Sequence, residues 1–238
     1  MSETIARDQS AVTDLRRLAE RAGNELESAS AIEILRWAVE QFGSDWCVAS
    51  SMEDSVLAHL ASRVLPGVDV VFLDTGYHFA ETLGMRDAVD AVLPVSVRTV
   101  LPLRTVTEQD AQLGPRLHER APGACCALRK VEPLRRVLTQ YRAWASGLRR
   151  ADSASRARIK VVDWDAKHHM VKLNPIAAWT DDDVDAYIAE HGLLVNPLLS
   201  DGYGSIGCGP CTRRLLPGEH SRAGRWAGTP KTECGLHA

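Results

Sequence analysis

Helical spacing of apolar positions in the first forty residues gives way, after residue 42, to short continuous apolar runs. Residues 10–42 predict two amphipathic helices broken near Gly23-Asn24, with Ile32, Leu35, Trp37 and Val39 supplying the apolar face of the second. Residues 46–50 and 68–73 read as buried strands. Between them, Val56, Leu57, Leu60 and Val64 line one side of a helix over 54–64, which Pro66-Gly67 ends. A helix to about residue 90 follows, then a third strand over 92–97 interrupted by Pro94. Strands alternating with helices at this spacing imply βαβ units, hence a parallel sheet with helices on both faces. Further on, 131–141 is helical, 144–147 a short strand and 152–158 a loop. Residues 159–163 and 169–173 could pair as strands, and Thr180 caps a helix through 190 that Gly192 terminates. From Asn196 onward Gly, Pro and charge dominate, and such a segment must lean on another structure to become ordered. The chain thus divides into N-terminal helices (1–44), an α/β body (45–200) and a C-terminal segment (201–238) with a flexible tail, as one compact domain.

With 238 residues, 45% hydrophobic and 25% charged, the chain is long enough for one sizeable core. No apolar run approaches the roughly 20 residues that a membrane-spanning helix needs. Residues 1–10 are polar, so no signal peptide is expected and the chain is expected in the cytoplasm. A net charge of −3 argues against general nucleic-acid binding, yet ten Lys/Arg stand against only Glu132 and Asp152 between residues 129 and 160. That basic island on an acidic protein points to a small anionic ligand, although Arg135, Arg136 and Arg142 have the spacing of a solvated helix face.

The cysteines sharpen the picture. Cys125 and Cys126 are adjacent, Cys208 and Cys211 form a Cys-x-x-Cys, and Cys234 lies four residues from the C-terminus. Cys47 sits in an apolar run and reads as core. In a reducing compartment, close cysteine pairs point to a metal centre or redox chemistry rather than structural disulfides. His168-His169 looks metal-like but nothing nearby completes a site, so it reads as surface.

The turn Ser50-Ser51-Met52-Glu53-Asp54-Ser55 offers hydroxyls and amides at a helix N-terminus, a place for phosphate, although helix caps use the same residues. It resembles the SGGxDS loop of the adenine-nucleotide-binding ATP pyrophosphatase superfamily. Residues 73–82 (LDTGYHFAET) resemble the matching segment of its sulfonucleotide reductase branch. Further matches are CCxxRK at 125–130, GLRR at 147–150, GYxSIGCxPCTR at 202–213, RAGRW at 222–226 and KTECGLH at 231–237. Together they span residue 46 to the end, and the chain is similar to assimilatory adenylyl-sulfate reductases of the iron–sulfur type. Two departures stand out. Ser51 and Met52 replace the two glycines that let a backbone wrap a pyrophosphate, which suits a ligand with one phosphate on adenosine. His220 stands where an acidic residue is expected.

The resemblance implies a Rossmann-like nucleotide-binding fold and a [4Fe–4S] cluster held by Cys125, Cys126, Cys208 and Cys211. Soft sulfur ligands suit zinc too, but adjacent cysteines fit a multi-iron cube better than one tetrahedral ion. It implies Cys234 as the nucleophile that takes a sulfo group from adenylyl-sulfate and expels AMP. Lys130, Arg222, Arg225 and His237 would bind the sulfate; Ser50, Ser51, Asp54, Ser55, Asp74, Thr75, Gly76, Arg149 and Arg150 would hold the nucleotide. Trp226 would cover the substrate. No second cysteine lies in the tail, so the resolving thiol is expected from outside, from thioredoxin, and the tail glycines read as a device for opening and closing. Competing readings are a reductase of the 3′-phosphorylated nucleotide or of both substrates, an ATP-using RNA thiolation enzyme, and a non-enzymatic iron–sulfur or zinc redox sensor. The two cysteine pairs oppose the first; the altered Ser51/Met52 loop and the tail oppose the second. A homo-oligomer remains open.

Overall fold

The parallel order follows from strands whose two faces are both apolar. In a computed structural model, which describes residues 9–229, 231 and 233–236, six strands form one sheet in the order β3-β2-β1-β4-β6-β5. These are β1 (Trp46–Ser50), β2 (Val68–Leu73), β3 (Val95–Val100), β4 (Ala143–Ser146), β5 (Val162–Asp165) and β6 (Met170–Leu173). All neighbours run parallel except β5, which pairs antiparallel with β6 at the edge. Alternate strand residues divide between the faces. Trp46, Val48, Val70, Phe72, Ala145 and Leu173 pack toward helices α1 (Gln9–Glu25), α2 (Ala31–Phe42) and α3 (Val56–Val64). Cys47, Val71, Trp144 and Met170 pack on the other side against α8 (Glu132–Leu138). The α/β expectation holds.

Several boundaries differ from the sequence reading: α8 ends at Leu138 and not 141, and β5 starts at Val162 and not 159, while three others have a clear physical cause. Helix α1 runs through Gly23 and ends after Glu25, because Gly23 is a contact residue and not a break. A Cβ there would lie 2.3 Å from the Val162 carbonyl, so glycine lets α1 approach β5. Helix α4 (Ala80–Val92) extends to Val92, and β3 starts only after Pro94, which lacks an N–H to donate to the ladder. Helix α9 (Asp181–His191) behaves as expected, with a capping box from Thr180 and Asp183 and a left-handed Gly192 at its end.

Strand order reverses at β1: β2 and β3 lie to one side, β4 to the other. In open α/β sheets the crevice at such a switch point, beyond the strands' carboxyl ends, is where ligands bind. Here it opens between the turns after Ser50 and Ser146.

Candidate functional site

At the end of β1 the chain turns sharply. The Ser50 hydroxyl accepts the Met52 N–H at 3.1 Å, and Met52 adopts a left-handed φ of 59° with its side chain buried. The glycine-like backbone is therefore retained although the glycine is absent. Asn196 fixes the turn, its amide donating to the Met52 carbonyl at 3.0 Å and its backbone N–H to the Glu53 carbonyl at 2.9 Å. Asp54 caps α3 by accepting the Val56 N–H at 2.9 Å. Ser50, Ser51 and Asp54 line a cleft of about 690 Å³. Ser55 does not: it is buried, and its hydroxyl donates to the Leu194 carbonyl at 3.1 Å.

The Asp74-Thr75-Gly76 turn also lies away from the cleft, whose wall takes Leu73 and His78 instead. The Asp74 carboxylate accepts the Gly76 N–H at 2.9 Å, and the Thr75 hydroxyl lies 3.3 Å from the Cys208 sulfur. The Thr75 carbonyl accepts from the buried guanidinium of Arg129. This turn braces the cysteine site.

That site is a second, smaller cavity lined by Cys125, Cys126, Cys208 and Cys211. The first two end α7 (Pro122–Cys126), which follows α5 (Val106–Leu113) and α6 (Leu117–Arg120) and runs into a wider π-turn over Ala127–Val131. Burial, with Cys126, Cys208 and Cys211 close by, pushes the Cys125 thiol up to about 12. Among the described residues Arg129 finds only neutral acceptors, the Thr75 carbonyl, Gln109 and the Arg104 carbonyl. A buried guanidinium without a carboxylate calls for negative charge nearby, and the sulfurs are the groups able to supply it. Lys130 is held protonated for the same reason. Burial works against its charge, but Cys208, Cys234 and Cys126 outweigh burial and raise its pKa. Among the described residues no three His, Cys, Asp or Glu donors surround one ion. Four sulfurs beside two cations make a soft, negatively charged donor set that suits an iron–sulfur group or zinc.

The two cavities share a wall made by Lys130, Arg225 and Trp226. Arg225 donates to the Ile206 carbonyl at 2.9 Å and stacks over Trp226, while its buried Nε has no hydrogen-bond partner among the described residues. Trp226 is itself buried, between the cavities. A Cβ on Gly207 would lie 2.4 Å from the Arg225 guanidinium, and one on Gly224 2.3 Å from the Arg213 carbonyl. These glycines permit close packing.

Arg149 lies on the cleft wall, paired with Asp152 at 3.0 Å and Asp181 at 2.7 Å. Arg150 does not reach it. Arg149 is extended (φ −123°, ψ 149°), so the next side chain points the opposite way, where Arg150 meets Glu27 at 2.6 Å. Arg156 occupies the cleft in its stead, a residue the sequence reading passed over within a loop. Its only signal was membership of the basic island. Arg222 is also on the cleft wall, and burial together with Arg156 lowers its pKa. His220 shapes the approach to it, its Nδ1 accepting the Arg222 N–H at 3.3 Å.

Cys234 is the one cysteine on the cleft wall. The Lys167 ammonium donates to the Gly235 carbonyl at 2.8 Å, and Leu236 packs on the apolar group around Trp144 and Leu134. His237 lies outside the described residues. Two further residues escaped the sequence reading. Glu53 accepts the Ile206 N–H at 2.9 Å and ties the β1 turn to the cysteine segment; burial raises its pKa. His168 is not surface, since its side chain is 3% exposed and bonds Asp165 at 2.7 Å, which also accepts from Trp144. Only His169 is exposed.

Lys172 lies over the Trp144 ring at 4.9 Å, and burial lowers its pKa to about 8. Its folded pKa is below the ordinary lysine value, so the unfolded chain binds more protons between about pH 8 and 10.5. Across that window wild type is expected to gain stability relative to Lys172→Met. The gain should be on the order of 1 kcal/mol in paired denaturant melts.

The sequence model of the phosphoadenosine phosphosulfate reductase domain matches residues 46–214. The chain belongs to the phosphoadenosine phosphosulfate reductase family. Among members of this family, it is 63% identical to the adenosine 5′-phosphosulfate reductase of Streptomyces coelicolor over 98% of this chain and 99% of that protein. It is 57% identical to the protein of the same name from Mycolicibacterium smegmatis, over 94% and 95%. In structure it resembles the phosphoadenylyl-sulfate reductase of Candida auris, with TM-score 0.69 at 26% identity, covering 88% of this chain and 99% of that one. The fold is also shared with Candida glabrata FMN adenylyltransferase, at TM-score 0.53 and 12% identity. Among the described residues, no helix is long and apolar enough to cross a membrane.

Proposed function

We propose that this chain reduces adenylyl-sulfate to sulfite and AMP in assimilatory sulfate reduction, through a sulfo group carried on Cys234. One observation carries the reading: a nucleotide-sized cleft at the switch point holds a single thiol, and a wall of Lys130, Arg225 and Trp226 separates it from four further thiols. The names of the full-length relatives support the substrate.

The nucleotide would lie beyond β1 and β4, with its phosphate near Ser50, Ser51 and Arg149 and its sulfate near Lys130, Arg222 and Arg225. Those cations offset charge that builds up in the transition state. The Cys234 thiolate attacks the sulfuryl sulfur; a sulfur–sulfur bond forms and the bond from sulfur to the bridging phosphate oxygen breaks. AMP leaves with that electron pair, and Cys234 carries the sulfo group. An external dithiol, which we assign to thioredoxin, then attacks the Cys234 sulfur. Sulfite departs with the electron pair of the sulfur–sulfur bond. The second thiol of the dithiol resolves the mixed disulfide, restoring Cys234 and supplying two electrons overall. Cys125, Cys126, Cys208 and Cys211 would hold a [4Fe–4S] cluster. Bound there, it would supply a cross-link between two chain segments and a fixed charge beside Lys130.

The cleft favours adenylyl-sulfate over its 3′-phosphorylated form. Arg156, the cleft-wall cation not assigned to the phosphate or sulfate of adenylyl-sulfate, already faces Asp152 and Glu233, so an added 3′-phosphate dianion would have to displace an existing pair. Steady-state assays should give a kcat/KM at least about tenfold higher for adenylyl-sulfate, a difference of about 1.4 kcal/mol. Equal efficiency on the two nucleotides would contradict the reading.

A further inference from the structure

The residue before the nucleophile is held more firmly than any other described part of the tail. Arg156 grips the Glu233 carboxylate with two parallel bonds, Nε to Oε1 at 3.0 Å and Nη2 to Oε2 at 2.9 Å. Arg222 approaches the same carboxylate at 3.4 Å. Arg156 is in turn fixed by Asp152 at 2.7 Å, and Asp152 also holds Arg149. The side chains of Arg156, Arg222 and Asp152 are 13%, 15% and 14% exposed and that of Glu233 29%, so this is not a solvent-screened surface pair. Bidentate, half-buried and networked, it belongs to the strong class of ion pairs. The Lys167 bond to the Gly235 carbonyl and the packing of Leu236 add to this hold on the tail.

We propose that Glu233 is a positioning residue: with Arg156 as keeper it latches the tail shut and sets Cys234 over the cleft. Consecutive Cα atoms are about 3.8 Å apart, so fixing the Glu233 carboxylate confines the neighbouring thiol. Confinement of a nucleophile at its target is a rate effect of its own, separate from ligand affinity. The carboxylate also screens two cations on the cleft wall, so its loss leaves AMP binding intact or tighter. The latch rests on the reading of Cys234 as sulfo acceptor, and the test separates the two.

The test uses cluster-replete wild type, Glu233→Gln, Glu233→Asp and the Glu233→Gln/Arg156→Gln pair. Three quantities are measured: tryptic cleavage after Lys231, which does not involve the thiol; AMP affinity; and single-turnover formation of the Cys234 adduct. Glu233→Gln is expected to speed cleavage and slow adduct formation, each by about tenfold. AMP affinity should not fall, and Glu233→Asp should lie between it and wild type. Adding Arg156→Gln to Glu233→Gln should not slow transfer much further, because the two act as one unit. Wild-type cleavage or transfer rates in Glu233→Gln, or a parallel loss of AMP binding, would overturn the latch. If wild type itself forms no adduct on Cys234, the sulfo-acceptor reading fails instead.

Discussion

Cys234→Ser protein is expected to bind AMP within about twofold of wild type, keep its four-thiol site, and lose at least about a thousandfold of its sulfite production. The geometry explains the split. The cleft proposed for the nucleotide is walled by the ends of β1 and β4, their turns, flanking helices and the C-terminal segment, and exchanging one sulfur for oxygen at Cys234 leaves those walls in place. No other sulfur can take over. Cys47 is fully buried beneath the sheet, where burial pushes its thiol up. Cys125, Cys126, Cys208 and Cys211 line the other cavity, and burial and mutual proximity raise Cys125, Cys126 and Cys211. A serine hydroxyl is also a far weaker nucleophile toward sulfur than a thiolate. Equilibrium dialysis with AMP and a sulfite assay check both halves. Substantial sulfite from the variant would remove Cys234 from the chemistry.

The second large effect concerns the four thiols. Anaerobically purified wild type is expected to carry about four irons and four sulfides and to absorb broadly in the visible. Cys208→Ser should lose most of that iron. Its melting temperature should fall by on the order of 10 °C, as about 3 kcal/mol would produce in a chain of this length. The drop is large because Cys125/Cys126 and Cys208/Cys211 lie on segments more than eighty residues apart, and Arg129 and Lys130 would lose their counter-charge. One zinc per chain with no sulfide would contradict the cluster.

Much of this was legible in the sequence because the physics is local. Continuous apolar runs gave β1 and β2, and Thr180 with Gly192 bounded α9. Spacing singled out the two cysteine pairs and Cys234, the resemblance gave them roles, and the fold sorts them into one cavity and one cleft. Side-chain direction was not legible. Neighbours Arg149 and Arg150 point opposite ways because the backbone there is extended, which no count of charges reveals. Asp74-Thr75-Gly76 was expected at the nucleotide, but its Thr75 faces Cys208 across a contact between residues far apart in the chain. Met52 was read as a lost glycine, yet it keeps the left-handed turn because its side chain is buried in the core beneath. The reason for Gly207 and Gly224 was not legible either: only the packed partner shows that they make room. Arg156 and Glu233, 77 residues apart, carry no pairwise signal in a single sequence.

The central claim is tested most directly by mass spectrometry of wild-type protein mixed with adenylyl-sulfate in the absence of any thiol. The account predicts one AMP released per chain and about 80 Da added on Cys234, the mass of a sulfo group on a nucleophile that cannot remove it alone; thioredoxin then frees sulfite. Stoichiometric sulfite without added thiol, or an adduct mapped to Cys47, would contradict it.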